Sequence, residues 1–191
     1  MTGSMVHAEQ DIVRALLCEG PDPEYADRLM TFGRFVGDWD FDWTGFDRDG
    51  GVERARGEWL FAWALNGRAV VDVWICPSRQ ERRNGDVRAG EWGVTVRAYD
   101  PAIDAWRVSW SGPAHGNLRT FVAARKDDGI VMDGRDDEGR RVNWVFSEVT
   151  GDSFHWRSFL WTDEARPPEL REEMFVRRRV TSPSGQVGDA S

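Results

Sequence analysis

One carboxylate stands out by its surroundings. Asp72 lies between Val71 and Val73 in an otherwise apolar stretch. A carboxylate buried there must be paired, hydrogen-bonded or protonated, because burying it alone is costly. Three arginines are candidate partners: Arg97, Arg119 and Arg157. Two interpretations stay open. Asp72 is a ligand anchor or general base inside a pocket, or it belongs to a structural Asp–Arg pair that maintains strand register.

The histidines predict no metal site. They are His7, His115 and His155, and no pair has the helical or strand spacing of metal ligands. His115 lies in a Gly-Pro-Ala-His-Gly loop, where it is either an acid or base over a pocket mouth or a solvated loop residue. The sequence contains no nucleophilic-serine, phosphate-loop or dinucleotide motif. We therefore predict no metal and no cofactor, and the candidate catalytic residues are Asp72 and His115.

The chain contains eleven tryptophans, and most alternate with polar or small residues. This period of two is typical of half-buried β-strands. So many indoles on one side of a sheet indicate either a very large core or a cavity with aromatic walls, which suits flat apolar ligands. Four tryptophans are candidates for such a wall: Trp63, Trp74, Trp110 and Trp156. Arg97 joins Asp72 as a candidate polar contact for the ligand, and Arg157 either reaches into the pocket or caps its rim.

The elements that must position these residues are mainly strands. Two helical segments, Ala8–Cys18 and Pro23–Phe35, precede Gly37. Beyond Gly37, turn signals at short intervals predict about ten antiparallel strands in meander order, with a polar loop over Gln80–Gly90. We predict an all-β barrel over residues 37–181, an N-terminal helical segment (residues 1–36) that packs on or caps it, and a disordered tail (residues 182–191).

The dipeptide Asn66-Gly67 is the strongest hairpin signal, because both central residues of a type I′ turn need positive φ. A two-residue loop there predicts three cross-strand pairs: Trp63 with Val70, Phe61 with Asp72, and Trp59 with Trp74. The face that carries these residues is predicted to line the barrel interior. The opposite face is aliphatic and is expected to lie under the N-terminal helices or in a subunit interface.

Composition narrows the choice of partners and compartment. The 191 residues carry a formal net charge of −8, which disfavours nucleic acid and anionic membranes as partners. Cys18 and Cys76 are far apart and form no disulfide framework, so a reducing compartment is expected. The N-terminus shows no secretion signal, and no apolar run is long enough to span a bilayer. The sequence therefore predicts a cytoplasmic protein of one domain.

The start of the first predicted strand resembles that of a known fold. The helical segment followed by Gly37-Asp38-Trp39 resembles the Gly-x-Trp start of calycin barrels, the lipocalins and fatty-acid-binding proteins. In those folds the tryptophan plugs one end of the barrel and packs against an arginine of the last strand. Here the last strand offers three such residues: Arg177, Arg178 and Arg179.

A closer likeness covers residues 32–180. Four stretches carry it: Phe-Val-Gly-Asp-Trp-Asp (35–40), Trp-Ala-Leu-Asn-Gly-Arg-Ala-Val-Val-Asp-Val-Trp (63–74), Tyr-Asp-Pro-Ala-Ile-Asp-Ala-Trp (99–106) and Phe-His-Trp-Arg (154–157). They resemble a bacterial family of lipocalin-like domains of unknown function. The resemblance implies a closed or nearly closed barrel with an internal pocket, often dimeric, and it supplies no catalytic residue.

Nitrobindin-type barrels share the Gly-x-Trp opening, and His155 on a late strand is similar in place to their proximal haem ligand. Their fuller glycine pattern is absent, because Asp38 and Asp42 stand where glycine-rich turns would be expected. A haem-binding barrel is therefore the weakest of the functional hypotheses.

Three other hypotheses remain. The first is a barrel that binds a small hydrophobic or aromatic molecule in an aromatic-lined pocket, either as a monomer or as a homodimer. The second is a cofactor-free enzyme of secondary metabolism, of cyclase or isomerase type, in which Asp72 or His115 moves a proton. The third is a structural barrel whose interior is filled by its own indoles.

Overall fold

The computed structural model describes residues 11–85, 90–163 and 165–180. Ten antiparallel strands follow one another around a closed barrel, and the last pairs with the first. They are β1 (Gly37–Phe46), β2 (Val52–Ala64), β3 (Ala69–Cys76), β4 (Glu91–Asp100), β5 (Ala105–Gly112), β6 (Asn117–Lys126), β7 (Gly129–Arg135), β8 (Arg141–Ser147), β9 (Ser153–Leu160) and β10 (Glu169–Arg178). The predicted ten-stranded all-β meander barrel is confirmed.

The N-terminal helical segment lies at one end of this barrel. The described part of helix α1 covers residues 11–16, and Leu17 then forms an antiparallel bridge with Ala64 at the end of β2. The second predicted helix is present as a 3-10 turn (Pro23–Tyr25) followed by helix α2 (Ala26–Gly33). The Asp22 side chain caps the turn by accepting a hydrogen bond from the Glu24 amide at 2.9 Å. Residues 8–10 and the predicted disordered tail lie outside the described residues.

The connection between β3 and β4 differs from the polar loop predicted for Gln80–Gly90. It contains a short helix, α3 (Arg79–Arg83). The helix begins in a capping box: Ser78 Oγ accepts from the Glu81 amide at 3.1 Å, and the Glu81 side chain accepts from the Ser78 amide at 3.4 Å. The Ser-x-x-Glu signal for this cap is present in the sequence, so the polar composition of the segment concealed a helix start.

Trp39 closes the helical end of the barrel. Its side chain is fully buried, and its indole N–H donates to the Phe35 carbonyl at 2.6 Å. The Arg178 guanidinium lies 4.0 Å from the centre of the Trp39 ring and donates to the carbonyls of Val36 and Arg34, each at 3.0 Å. The predicted plug is therefore present, and Arg178 is the arginine of the last strand that packs against it.

The β2–β3 hairpin has the predicted register. Phe61 lies opposite Asp72, Trp63 opposite Val70, and Trp59 opposite Trp74. The loop has four residues (65–68) rather than the predicted two, with positive φ at Leu65, Asn66 and Gly67, and the register is kept because the loop is longer by one residue on each side. The aromatic face of the hairpin points into the barrel, as expected.

The aliphatic face of the hairpin lies outside the barrel, and Val94 on the neighbouring strand is 38% exposed there. Whether a subunit interface covers part of this face is not tested by the single chain, and the homodimer stays a prediction. Within the described ranges, no helix is long and apolar enough to cross a membrane.

Candidate ligand-binding site

A cavity of about 670 Å³ occupies the barrel interior and opens at the end opposite the helices. Its mouth is bordered by the start of β2, the β3–β4 connection and the β5–β6 turn. Six tryptophan side chains line it. The interior is therefore not filled by its own indoles, which argues against the purely structural barrel.

Five of these tryptophans form one closed ring of aromatic side chains together with Phe41, which packs against two of them; this ring is here called the aromatic belt. Its members are Phe41, Trp59, Trp74, Trp110, Trp144 and Trp156. Neighbouring ring centres lie between 5.4 and 6.4 Å apart. The four contacts between tryptophans are edge-to-face, with interplanar angles of 64–84°. This packing satisfies the ring quadrupoles and holds each indole in a defined orientation around the cavity.

Asp72 and Arg97 form a fully buried ion pair beneath the cavity. The Asp72 carboxylate also accepts hydrogen bonds from Trp59 Nε1 at 2.5 Å and Thr95 Oγ1 at 3.0 Å. Both donors line the cavity, whereas Asp72 and Arg97 do not. The pair therefore lies on the helical side of the cavity floor, and its geometry is that of the structural Asp–Arg pair.

Arg97 stays charged despite complete burial. Burial lowers the pKa of its guanidinium to about 9, which is still above neutral pH. The group lies 5.0 Å from the centre of the Phe32 ring and 5.4 Å from that of Phe61. These aromatic faces take the place of water around the cation, and Asp72 supplies the opposite charge.

The predicted wall residues divide between two places. Trp74, Trp110 and Trp156 line the cavity. Trp63 also points inward, but it lies at the helical end against α2, where a Cβ on Gly33 would come within 2.3 Å of its ring. Glycine at position 33 is therefore needed for the helix to approach Trp63, which is a packing residue.

Arg157 lies outside the cavity. Strand alternation turns it to the face opposite Trp156, where its guanidinium donates to Ser147 Oγ at 3.0 Å and lies over the Phe159 ring. His155 shares this outer face and stacks on Phe175 with ring centres 4.3 Å apart. A haem bound through His155 would thus lie outside the barrel. In the described part of the chain, no group of three or more His, Cys, Asp or Glu side chains could hold a metal ion.

His115 lies at the cavity mouth, as expected for an acid or base above a pocket. Its Nδ1 is 3.1 Å from Glu91 Oε2. The Glu91 carboxylate is buried, and it accepts from the amides of Trp92 at 2.9 Å, Ala114 at 3.0 Å and His115 at 3.2 Å. Burial alone would raise the pKa of Glu91, but these hydrogen bonds outweigh it and leave the pKa below its ordinary value. Glu91 is therefore an ionised anchor that orients the imidazole.

Several residues of the site were not singled out from the sequence, and three of them matter most for its geometry: Trp144, Glu91 and Gly93. Trp144 is a belt member and Glu91 orients His115. Gly93 lies on β4 beside the belt, where an added Cβ would come within 2.1 Å of the Trp110 ring. The missing side chain at Gly93 is what leaves space for that indole.

Replacing Gly93 by alanine should displace the Trp110 indole. We expect a destabilisation of about 1–3 kcal/mol from overpacking, together with a change in the near-UV circular dichroism of the belt. Gly20→Ala is the control, because a Cβ at Gly20 meets no atom within 4 Å. An unchanged near-UV spectrum for Gly93→Ala would show that Trp110 is not held as described.

Comparisons with known proteins agree on the architecture. The S-type phycobiliprotein lyase CPES from Guillardia theta superposes with a TM-score of 0.54 at 12% sequence identity, covering 85% of this chain and 100% of that one. Rv2717c from M. tuberculosis superposes with a TM-score of 0.56 at 10% identity, covering 84% and 99%. The fold is a lipocalin-like, calycin-type barrel.

Sequence comparisons add nothing to this. No protein-family profile matches the chain, and no curated protein matches it either. At 10–12% identity the two structures share the calycin-type fold with this chain, and the fold alone does not assign a function. A function for this calycin-type barrel must therefore be inferred from its cavity.

Proposed function

We propose that the protein binds a small hydrophobic or aromatic molecule in the cavity bounded by the aromatic belt. The observation that carries the proposal is the cavity of about 670 Å³ with six tryptophans in its wall. This volume falls within the range of small-molecule sites, which is about 300–1,000 Å³. A flat ring inside it would exchange water for indole surface on several sides.

The orientation of the belt supports an aromatic ligand in particular. Because neighbouring indoles meet edge-to-face, the belt offers a ligand aromatic rings in several orientations. Each aromatic contact with a ligand ring is worth about 0.5–1.5 kcal/mol beyond the burial of area. Met174 also lines the cavity and adds a polarisable thioether to the wall.

A neutral fluorescent probe tests the proposal. N-phenylnaphthylamine (NPN) should gain fluorescence on entering the cavity and quench tryptophan emission. We expect Trp110→Ala to weaken its binding about tenfold, which corresponds to about 1.4 kcal/mol of lost contact. Trp92→Ala is the matched control, because Trp92 is 51% exposed and does not line the cavity; it should bind NPN as the wild type does. Absence of NPN binding by the wild type would contradict the proposal.

A second candidate function is proton transfer on the bound molecule, and the His115–Glu91 contact favours it. A carboxylate that holds an imidazole in place over a pocket is the arrangement used to orient a general base. One structural neighbour is named a phycobiliprotein lyase, so the fold is compatible with catalysis. Asp72, the other candidate catalytic residue, does not line the cavity. The proton-transfer hypothesis therefore assigns it no role.

The enzyme hypothesis has a test that needs no native substrate. β-Tetralone is a flat aromatic ketone with acidic protons next to its carbonyl. If His115 acts as a base, the protein should accelerate exchange of these protons with deuterium from solvent, followed by NMR. His115→Gln should abolish the acceleration while NPN still binds. No acceleration over free imidazole at the same concentration would rule against catalysis of this type.

A further inference from the structure

The cavity contains hydrogen-bond donors that lack acceptors. Of the buried N–H groups that have no partner within the described residues, three belong to residues of the cavity: Arg119 Nε, Trp144 Nε1 and Trp156 Nε1. All three residues line the cavity. Trp144 and Trp156 are only 9% and 4% exposed. Buried donors are nearly always paired in folded proteins, so three of them on residues of one cavity are consistent with an acceptor supplied by a bound molecule.

Two of the three carboxylates that line the cavity are engaged elsewhere. Glu91 binds three backbone amides and His115. Glu172 accepts a hydrogen bond from Trp43 Nε1 at 3.0 Å. Glu53 lies on the exposed rim. Arg119 forms no ion pair with any carboxylate of residues 11–85, 90–163 or 165–180. The guanidinium is therefore a cation without an anion.

Arg119 is placed between the belt and the mouth. It lies opposite Trp110 in the β5–β6 register. Phe121, two residues further along β6, points inward and meets Trp144 with ring centres 4.4 Å apart. Strand alternation thus turns Arg119 inward as well, one step nearer the open end. A ring seated against the belt would have its outer edge beside this guanidinium.

We infer that the ligand is an aromatic acid, whose ring system contacts the belt and whose anionic group pairs with Arg119. The inference rests on the proposed function. A planar guanidinium matches the two oxygens of a carboxylate or sulfonate and forms charge-assisted hydrogen bonds. The net charge of −8 repels anions at long range, so this local cation decides whether an acid enters.

Two dyes with nearly the same ring skeleton separate the anionic contact from simple aromatic binding. Anilinonaphthalenesulfonate (ANS) carries a sulfonate, which is ionised at every pH used, and NPN carries none. In the wild type we expect ANS to bind about tenfold more tightly than NPN or better. Arg119→Gln should weaken ANS about 10- to 100-fold and change NPN by less than about twofold. Because Arg119 has no described carboxylate partner, its removal leaves no unpaired carboxylate behind.

Arg157→Gln is the matched control. It removes the same charge by the same substitution, but from the outer face of the barrel, so it should change neither dye. Arg119→Lys should restore part of the ANS affinity, and added salt should weaken ANS in the wild type; both hold even if Arg119→Gln is poorly folded. Equal affinities for ANS and NPN, or equal losses of both in Arg119→Gln, would overturn the inference and leave the proposed function standing. Failure of both dyes to bind the wild type would overturn both.

Discussion

Arg97→Met is expected to destabilise the protein by about 3–5 kcal/mol, because it leaves the Asp72 carboxylate buried without an opposite charge. Trp59 and Thr95 would still donate hydrogen bonds to it, but neither carries a positive charge. For a chain of 191 residues this corresponds to a fall in Tm of about 6–20 °C. Urea unfolding followed by tryptophan fluorescence measures the effect.

The double variant Asp72→Asn/Arg97→Met shows how much of the lost stability comes from the unpaired charge and how much from the loss of the ion pair itself. Asparagine keeps an oxygen for Trp59 and Thr95, and methionine fills part of the space of the guanidinium. We expect the double variant to recover at least half of the stability that Arg97→Met loses. Replacing both ions of a buried pair destabilises a protein far less than removing one of them. Arg107→Met, which breaks the exposed contact with Asp100 at 2.7 Å, should leave the unfolding midpoint nearly unchanged. A double variant no more stable than Arg97→Met would contradict this account.

Trp39→Ala is expected to destabilise the protein by about 3–5 kcal/mol, the usual loss for a fully buried tryptophan. The indole packs against Phe154 with ring centres 4.9 Å apart and supports the Arg178 guanidinium. Its loss would leave a space at the helical end and release the arginine from its aromatic contact. Thermal unfolding by circular dichroism measures the change.

The control for the plug is Trp92→Ala, since Trp92 is half exposed on the outer face. It should shift the midpoint much less. A loss for Trp39→Ala as small as that of Trp92→Ala would mean that the plug does not hold the barrel end together.

The sequence predicted the fold and the β2–β3 register because those follow from local patterns. The Asn66-Gly67 turn set the pairing of Trp59 with Trp74, and period two set which side chains share a face. Local sequence patterns do not determine the position of a residue along the barrel axis. Trp63 and Trp74 both face inward, yet only Trp74 lies at the level of the cavity. That difference depends on strand tilt and on where the helices close the barrel.

The structure places Arg157 outside the cavity and Trp144 in its wall, and neither position follows from local sequence pattern. Both faces of β9 carry bulky residues, so alternation alone could not say which side of Arg157 is the interior. Trp144 stands as a single tryptophan between Asn143 and Val145, and its pairing with belt members is decided by strands distant in the chain. Asp72 was correctly expected to need a partner, because the cost of burying a charge is independent of topology.

The closed helical end has a consequence for how a guest molecule would sit. Trp39 and helix α2 occupy that end. A ligand would therefore enter and leave the cavity through the mouth beside His115. A molecule longer than the cavity must go in ring first and keep its other end in water. Such a barrel would therefore bind its ligand in one fixed orientation along the barrel axis. A reporter group attached to the trailing end of the guest would remain in solvent while the leading ring was bound.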